Sequence, residues 1–201
     1  MGIANQLTLG RLALSPVFVL VFVLGGKAGH VAALGIACLF ELTDILDGYL
    51  ARSKREMTDF GKLMDPLADS VARFSVFLCF LWAGYAPLWV VVLLFYRDAT
   101  VAYTRVAAAR AGVVLAARWS GKVKAIVQGA AILIVLGLIV LTPADDAAVM
   151  AATRQKAHYL MLVVAAVTLW SGVDYLFSSL PLLRRLLKKS GDESAGGRGH
   201  E

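Results

Sequence analysis

Apolar residues dominate the chain in long runs broken by short polar or glycine-containing stretches. Six such runs stand out, at roughly 8–26, 31–53, 62–84, 87–110, 122–142 and 157–181. Each is near the roughly 20 residues that an α-helix needs to cross a bilayer. The breaks fall at Gly25-Gly26-Lys27, Ser53 to Gly61, Gly84 to Pro87, Gly112 to Gly121 and Pro143 to Asp146. The runs are rich in Leu, Val and Ala and show no period-two alternation, so a helical bundle is expected and a β-barrel is not. No internal repeat is visible. The predicted fold is an all-α membrane protein, a bundle of six transmembrane helices. Residues 1–189 form one membrane domain, and 190–201 form a disordered tail of Gly, Ser and mixed charge.

Composition supports this. Of 201 residues, 59% are hydrophobic, and the mean hydropathy is +0.73, whereas soluble domains run near 45–50% apolar. The net charge is +6. In so apolar a chain this excess points to anionic lipid and anionic substrates rather than to nucleic acid. Leu12 to Leu24 lacks the basic start and the small-residue cleavage site of a signal peptide, so it is expected to be retained as the first span. Met1 to Arg11 is expected to lie along the membrane surface.

Basic residues also set an expected orientation. Arg52, Lys54, Arg55 and Lys62 lie between runs 2 and 3. Arg110, Arg118, Lys122 and Lys124 lie between runs 4 and 5, and Arg184, Arg185, Lys188 and Lys189 follow run 6. The alternate loops are poorer in Lys and Arg. Both termini should therefore be cytoplasmic. Cys38 and Cys79 fall inside spans at a spacing that matches no metal pattern and are expected to be buried thiols. His30, His158 and His200 are scattered and are not expected to be catalytic.

The segment Asp44-x2-Asp47-Gly48-x2-Ala51-Arg52-x8-Gly61-x3-Asp65-x3-Asp69 carries the candidate chemistry. An aspartate in hydrocarbon costs about 2.5–3.5 kcal/mol on insertion scales, so four together need compensation. Asp44 and Asp47 are spaced i, i+3, and Asp65 and Asp69 are spaced i, i+4, so each pair shares a helix face. With the connecting turn on one side of the membrane, both pairs lie within roughly 5–15 Å of that face. Carboxylates without Cys or His make a hard oxygen site, suited to two Mg2+ or Mn2+ ions that would clamp a phosphate. Single residues have plainer explanations: Arg52 can satisfy the positive-inside rule, and Asp44 or Asp65 can pair with a basic side chain. A divalent-cation transporter would also place acids in the membrane, although along a continuous route rather than at one end.

The eight fixed positions of that segment resemble the signature of the CDP-alcohol phosphatidyltransferases. The resemblance implies transfer of a phosphatidyl group from CDP-diacylglycerol to a small alcohol, with release of CMP. It implies two metal ions on Asp44, Asp47, Asp65 and Asp69, with Asp69 also the catalytic base. It implies nucleotide contacts from Asp47, Gly48, Arg52 and Gly61, and from Thr8 in the amino-terminal motif Asn5-x2-Thr8-x2-Arg11. It further implies a homodimer in the bacterial inner membrane, with the active site facing the cytoplasm.

A second basic cluster bears on the acceptor. Arg97-Asp98-x6-Arg105 lies in run 4, and Ser120-Gly121-Lys122-x-Lys124-x3-Gln128 opens run 5. Arginines within a span usually line a polar cavity, which suggests an acceptor with its own phosphate, bound by Arg97, Arg105, Ser120 and Lys122. The pattern is similar to the branch of the family that uses glycerol 3-phosphate, the phosphatidylglycerophosphate synthases. It departs from that branch at Asp98 (usually Glu), Ser70 (often Lys) and Ala125 (often Thr). Inositol phosphate and serine are the alternative acceptors, less favoured because Pro66 follows Asp65.

Overall fold

In the computed structural model the backbone is described for residues 3–53, 59–110, 113, 118–143 and 145–196. Side chains are described for 6–44, 67–109, 113, 118–143 and 145–180. Among the described residues the chain is all helical, with six helices in the order α1 (Ile3–Leu24), α2 (Gly26–Ser53), α3 (Asp59–Trp82), α4 (Leu88–Arg110), α5 (Trp119–Leu141) and α6 (Ala147–Gly196). One helix corresponds to each predicted run. Three of them contain stretches long and apolar enough to cross a membrane: Gln6–Leu24, Trp119–Leu141 and Ala147–Leu180. The other three reach the length, at 28, 24 and 23 residues, but carry the charged side chains of the candidate site.

The boundaries shift for physical reasons. Run 6 was predicted from residue 157 because Thr153-Arg154-Gln155-Lys156 is polar. The helix instead starts at Ala147, where the Asp146 carboxylate accepts bonds from the amides of Ala148 (3.0 Å) and Val149 (3.1 Å), an N-cap. The helix continues to Gly196, into the segment for which a disordered tail was expected from Ser190. The separate surface helix expected over Met1–Arg11 is also corrected: from Ile3 those residues are the first turns of a continuous α1.

α1 packs against α2 and α3, α5 against α2 and α6, and α4 against α3 and α6. At the α1–α2 turn the chain reverses so sharply that a Cβ on Gly25 would lie 2.5 Å from the Gly29 Cα, and one on Gly29 would strike the Val21 carbonyl. Gly26 takes a positive φ of 54° there, which glycine adopts at no steric cost. Small residues (Ala33, Ala37, Ala68, Ala72, Ala131 and Ala165) let the helices approach, and Phe18, Phe22, Phe77 and Phe80 fill the remaining space. Phe77 and Phe80 meet edge to face at 6.1 Å. Leu20, Phe95, Tyr103, Ile126, Trp170 and Phe177 are exposed on the outside. In water such a surface would be a liability, and in lipid tails it is the expected one.

Candidate active site

Glu41 and Asp44 sit three residues apart on α2, and Asp69 and Arg73 sit four apart on α3. Each pair shares a helix face. Those faces meet beside Arg11 of α1, and all five side chains line one narrow cleft with a volume of about 10 Å³. Its floor is apolar, formed by residues such as Phe40, Val76 and Ile132. Asp44 and Asp69 thus come to one place from two helices, as the spacing predicts. Asp47 and Asp65 lie on the same helices, one turn from Asp44 and Asp69 by register. Their side chains, and those of Gly48, Ala51, Arg52 and Gly61, lie outside the described residues.

The described carboxylates have internal counterions. Arg73 Nη2 donates to Asp44 Oδ2 at 2.7 Å and stands 3.9 Å from Glu41 Oε2, and its Nη1 reaches the Ala125 carbonyl at 3.4 Å. Arg11, buried in α1, contacts the Asp69 carboxylate and donates through Nη2 to Thr43 Oγ1 at 3.0 Å. Thr8, one turn before Arg11, is also buried. The Glu41 carboxylate lies where a side chain on Gly129 would begin, so α5 can press against α2 at that point only with a glycine. Arg73 and Glu41 lie outside the sequence motif, although each stands one helical turn from a signature aspartate.

The cleft offers carboxylate oxygens with no thiol or imidazole among its described lining residues. That donor set suits a hard divalent cation. Among the described residues no three acids, histidines or cysteines come close enough together to hold one metal ion. The other two acids of the quartet are Asp47 and Asp65.

A second polar network joins α4, α5 and α6. Asp98 accepts from Lys124 Nζ at 2.6 and 2.9 Å and from Arg97 Nη1 at 3.0 Å. Arg97 Nη2 donates to Ser171 Oγ at 2.6 Å. Arg97 is pressed between two glycines: a Cβ on Gly172 would lie 3.3 Å from its Cγ, and one on Gly121 would lie 3.6 Å from its Nη2. Nearby, Asp174 receives Arg118 through two bonds of 2.7 Å and the Ser120 hydroxyl at 2.5 Å. Arg118 lies just before α5, and its bond to Asp174 raises an already high pKa further. Gln128 donates to Thr168 at 3.3 Å. The Arg97 Nε–H is buried without an acceptor among the described residues.

Of the four residues assigned to the acceptor phosphate, Arg97 and Ser120 enter this polar region. Arg105 and Lys122 do not: both are exposed, and Lys122 lies over the Trp119 ring at 5.9 Å. Lys124, two residues on, occupies the interior instead. Ala125, its neighbour, touches Arg73, so the aspartate cleft and the basic network are adjacent.

The family model for CDP-alcohol phosphatidyltransferase matches residues 1–171. The chain belongs to the CDP-alcohol phosphatidyltransferase family. It is 38% identical over 182 residues to the probable phosphatidylglycerophosphate synthase of Mycobacterium tuberculosis, which covers 89% of this chain and 82% of that protein. It is 32% identical over 180 residues to the CDP-diacylglycerol--glycerol-3-phosphate 3-phosphatidyltransferase of Escherichia coli, 87% of this chain and 93% of that one. The Bacillus subtilis protein of the same name is 34% identical over 135 residues, 61% of this chain and 70% of that one. As a family member with bacterial relatives and long apolar helices, the chain is an integral membrane phosphatidyltransferase.

Proposed function

We propose that this phosphatidyltransferase moves the phosphatidyl group of CDP-diacylglycerol to glycerol 3-phosphate and releases CMP. The observation that carries this is the match along most of the chain to relatives named for glycerol 3-phosphate. The aspartate cleft and the adjoining basic network support it.

Asp44, Asp47, Asp65 and Asp69 would hold two Mg2+ or Mn2+ ions, which when bound neutralise the pyrophosphate and lower the pKa of the acceptor hydroxyl. Thr8, Asp47, Gly48, Arg52 and Gly61 bind the cytidine diphosphate part. A carboxylate oxygen of Asp69 takes the proton of the acceptor hydroxyl. The freed oxygen bonds to the phosphatidyl phosphorus as the bond from that phosphorus to the CMP oxygen breaks, and the electron pair leaves with CMP. The protein's work is positioning and charge compensation.

Arg97 binds the phosphate of the acceptor. Its buried Nε–H lacks an acceptor among the described residues, and a buried donor without a partner is costly unless a ligand completes it. Asp98 and Ser171 hold the guanidinium in place. Ser120 borders the site, and Arg105 and Lys122 draw the anion in from exposed positions.

The six helices each cross the bacterial inner membrane, with both termini and the aspartate cleft on the cytoplasmic side, and the enzyme works as a homodimer. The excess of Lys and Arg between runs 2 and 3, between runs 4 and 5, and in the tail supports the orientation.

The test is CMP release by purified protein with CDP-diacylglycerol. Turnover should need both glycerol 3-phosphate and Mg2+ or Mn2+, and excess chelator should stop it. Equal turnover with inositol phosphate or serine would refute the acceptor, and full activity in chelator would refute the metal site. Divalent-cation flux through liposomes without any CMP release would favour transport instead.

A further inference from the structure

At the other end of the bundle lies an opening with a volume of about 400 Å³. It forms where the α1–α2 and α3–α4 turns meet the first turns of α6. Its lining includes Phe22, Gly26, His30, Trp82, Tyr85 and Arg154. His30 lies fourteen residues before Asp44 on α2, and Trp82 lies thirteen residues after Asp69 on α3. At 1.5 Å per residue the opening is about 20 Å from the aspartate cleft. No step of the transfer reaches it.

The chemistry of the lining is cationic and aromatic. No carboxylate is among the described lining residues. Arg154 makes no ion pair or hydrogen bond with the described residues. Its guanidinium lies over the Tyr85 ring at 5.9 Å, close to Gly84, where a Cβ would come within 3.7 Å of its Nε. Gly84 has a positive φ of 77°, so the α3–α4 turn keeps its bare backbone against the arginine. His30 packs against Phe22 at 4.9 Å between centroids, which fixes the imidazole at the rim.

The rim marks the depth. Leu24, Trp82, Leu88 and Trp89 are 78%, 66%, 62% and 53% exposed. Tryptophans gather where hydrocarbon gives way to headgroups. A cation with no counterion among the described residues, at headgroup depth and beside apolar surface, matches an anion attached to acyl chains.

We propose that this opening binds the phosphate of a phospholipid from the leaflet opposite the aspartates, with Arg154 as the main contact and His30 as the second. The lipid ties the two interhelical turns to α6 and so stabilises the bundle without taking part in the reaction. The site is independent of the acceptor and of the metal.

Thermal unfolding of the full-length protein in mild detergent, titrated with phosphatidylglycerol, tests this. The lipid should raise the unfolding midpoint. Arg154→Ala should need about tenfold more lipid for the same rise, as for loss of one charge-assisted contact. CMP release by the variant should stay within about twofold of the parent, because the site is remote. His30→Gln should shift the lipid dependence in the same direction, by less. Asp69→Asn should keep the whole Arg154-dependent response, which separates this site from lipid held in the aspartate cleft. Unchanged lipid dependence in both Arg154→Ala and His30→Gln would overturn the proposal. So would an equal rise from inorganic phosphate, or from diacylglycerol without a headgroup. Arg154 is exposed, so truncating it opens no internal void.

Discussion

Asp98 stands between two cations, and removing it tests the interior network directly. Lys124 is 5% exposed, and the Arg97 side chain is 12% exposed. Asp98→Ala leaves both charges without their carboxylate in a water-poor region. Breaking a buried pair by deleting one partner costs about 3–5 kcal/mol. The Asp98 side chain is itself 29% exposed, so water recovers part of this, and about 3 kcal/mol is the expected loss. For a chain of this length each kcal/mol moves the midpoint by about 2–4 °C, so the fall should be about 6–12 °C. Asp98→Glu keeps the charge and should lose no more than a few degrees. The double variant Asp98→Leu/Lys124→Met should recover part of the loss, because position 124 then needs no compensation while Arg97 still lacks its carboxylate. Unfolding followed by tryptophan fluorescence at one heating rate gives the comparison. Parental midpoints for Asp98→Ala would refute the reasoning, since the network would then contribute no stability.

Asp69→Asn should lower CMP release by about 10²–10⁴, the usual worth of a general base, with an intact fold by circular dichroism; near-parental turnover would remove Asp69 from the mechanism. Arg105→Ala should raise the KM for glycerol 3-phosphate several-fold and leave the KM for CDP-diacylglycerol within about twofold, and the opposite split would detach Arg105 from the acceptor. Gly129→Ala should destabilise the bundle by about 1–3 kcal/mol, as overpacking does, because the new methyl meets the Glu41 carboxylate. A matching Gly129→Ala/Glu41→Ala variant should regain stability relative to Gly129→Ala alone, and the two midpoints can be read in one thermal scan.

Hydrophobic runs made the six helices legible, because each helix buries or exposes apolar surface along most of its length. Helix ends were less legible. The start of α6 was missed by ten residues because Arg154 and Lys156 interrupt the apolar pattern, while the capping role of Asp146 depends on a local bond that hydropathy does not encode. The helix spacing was enough to bring Asp44 and Asp69 together. It was not enough to show what faces them. Charge balance suggested divalent ions as the simplest counterions, and the structure adds Arg73 and Arg11, one from the next turn of α3 and one from another helix. Arg11 was noticed only as part of an amino-terminal motif. The acceptor cluster shows the same limit. A run of basic residues at the start of α5 does not reveal which one turns inward, and the helical phase selects Lys124 over Lys122.

The pairing of Asp44 with Arg73 and of Asp69 with Arg11 bears on how such a protein is made. A newly inserted chain meets the bilayer first, and unneutralised acids would pull the young bundle apart. Here the chain brings its own basic partners for Asp44 and Asp69, so folding at this cleft does not wait on the proposed ions. With the proposed metal site, a cell short of magnesium would then accumulate folded, idle enzyme ready for later activation, rather than debris for its proteases.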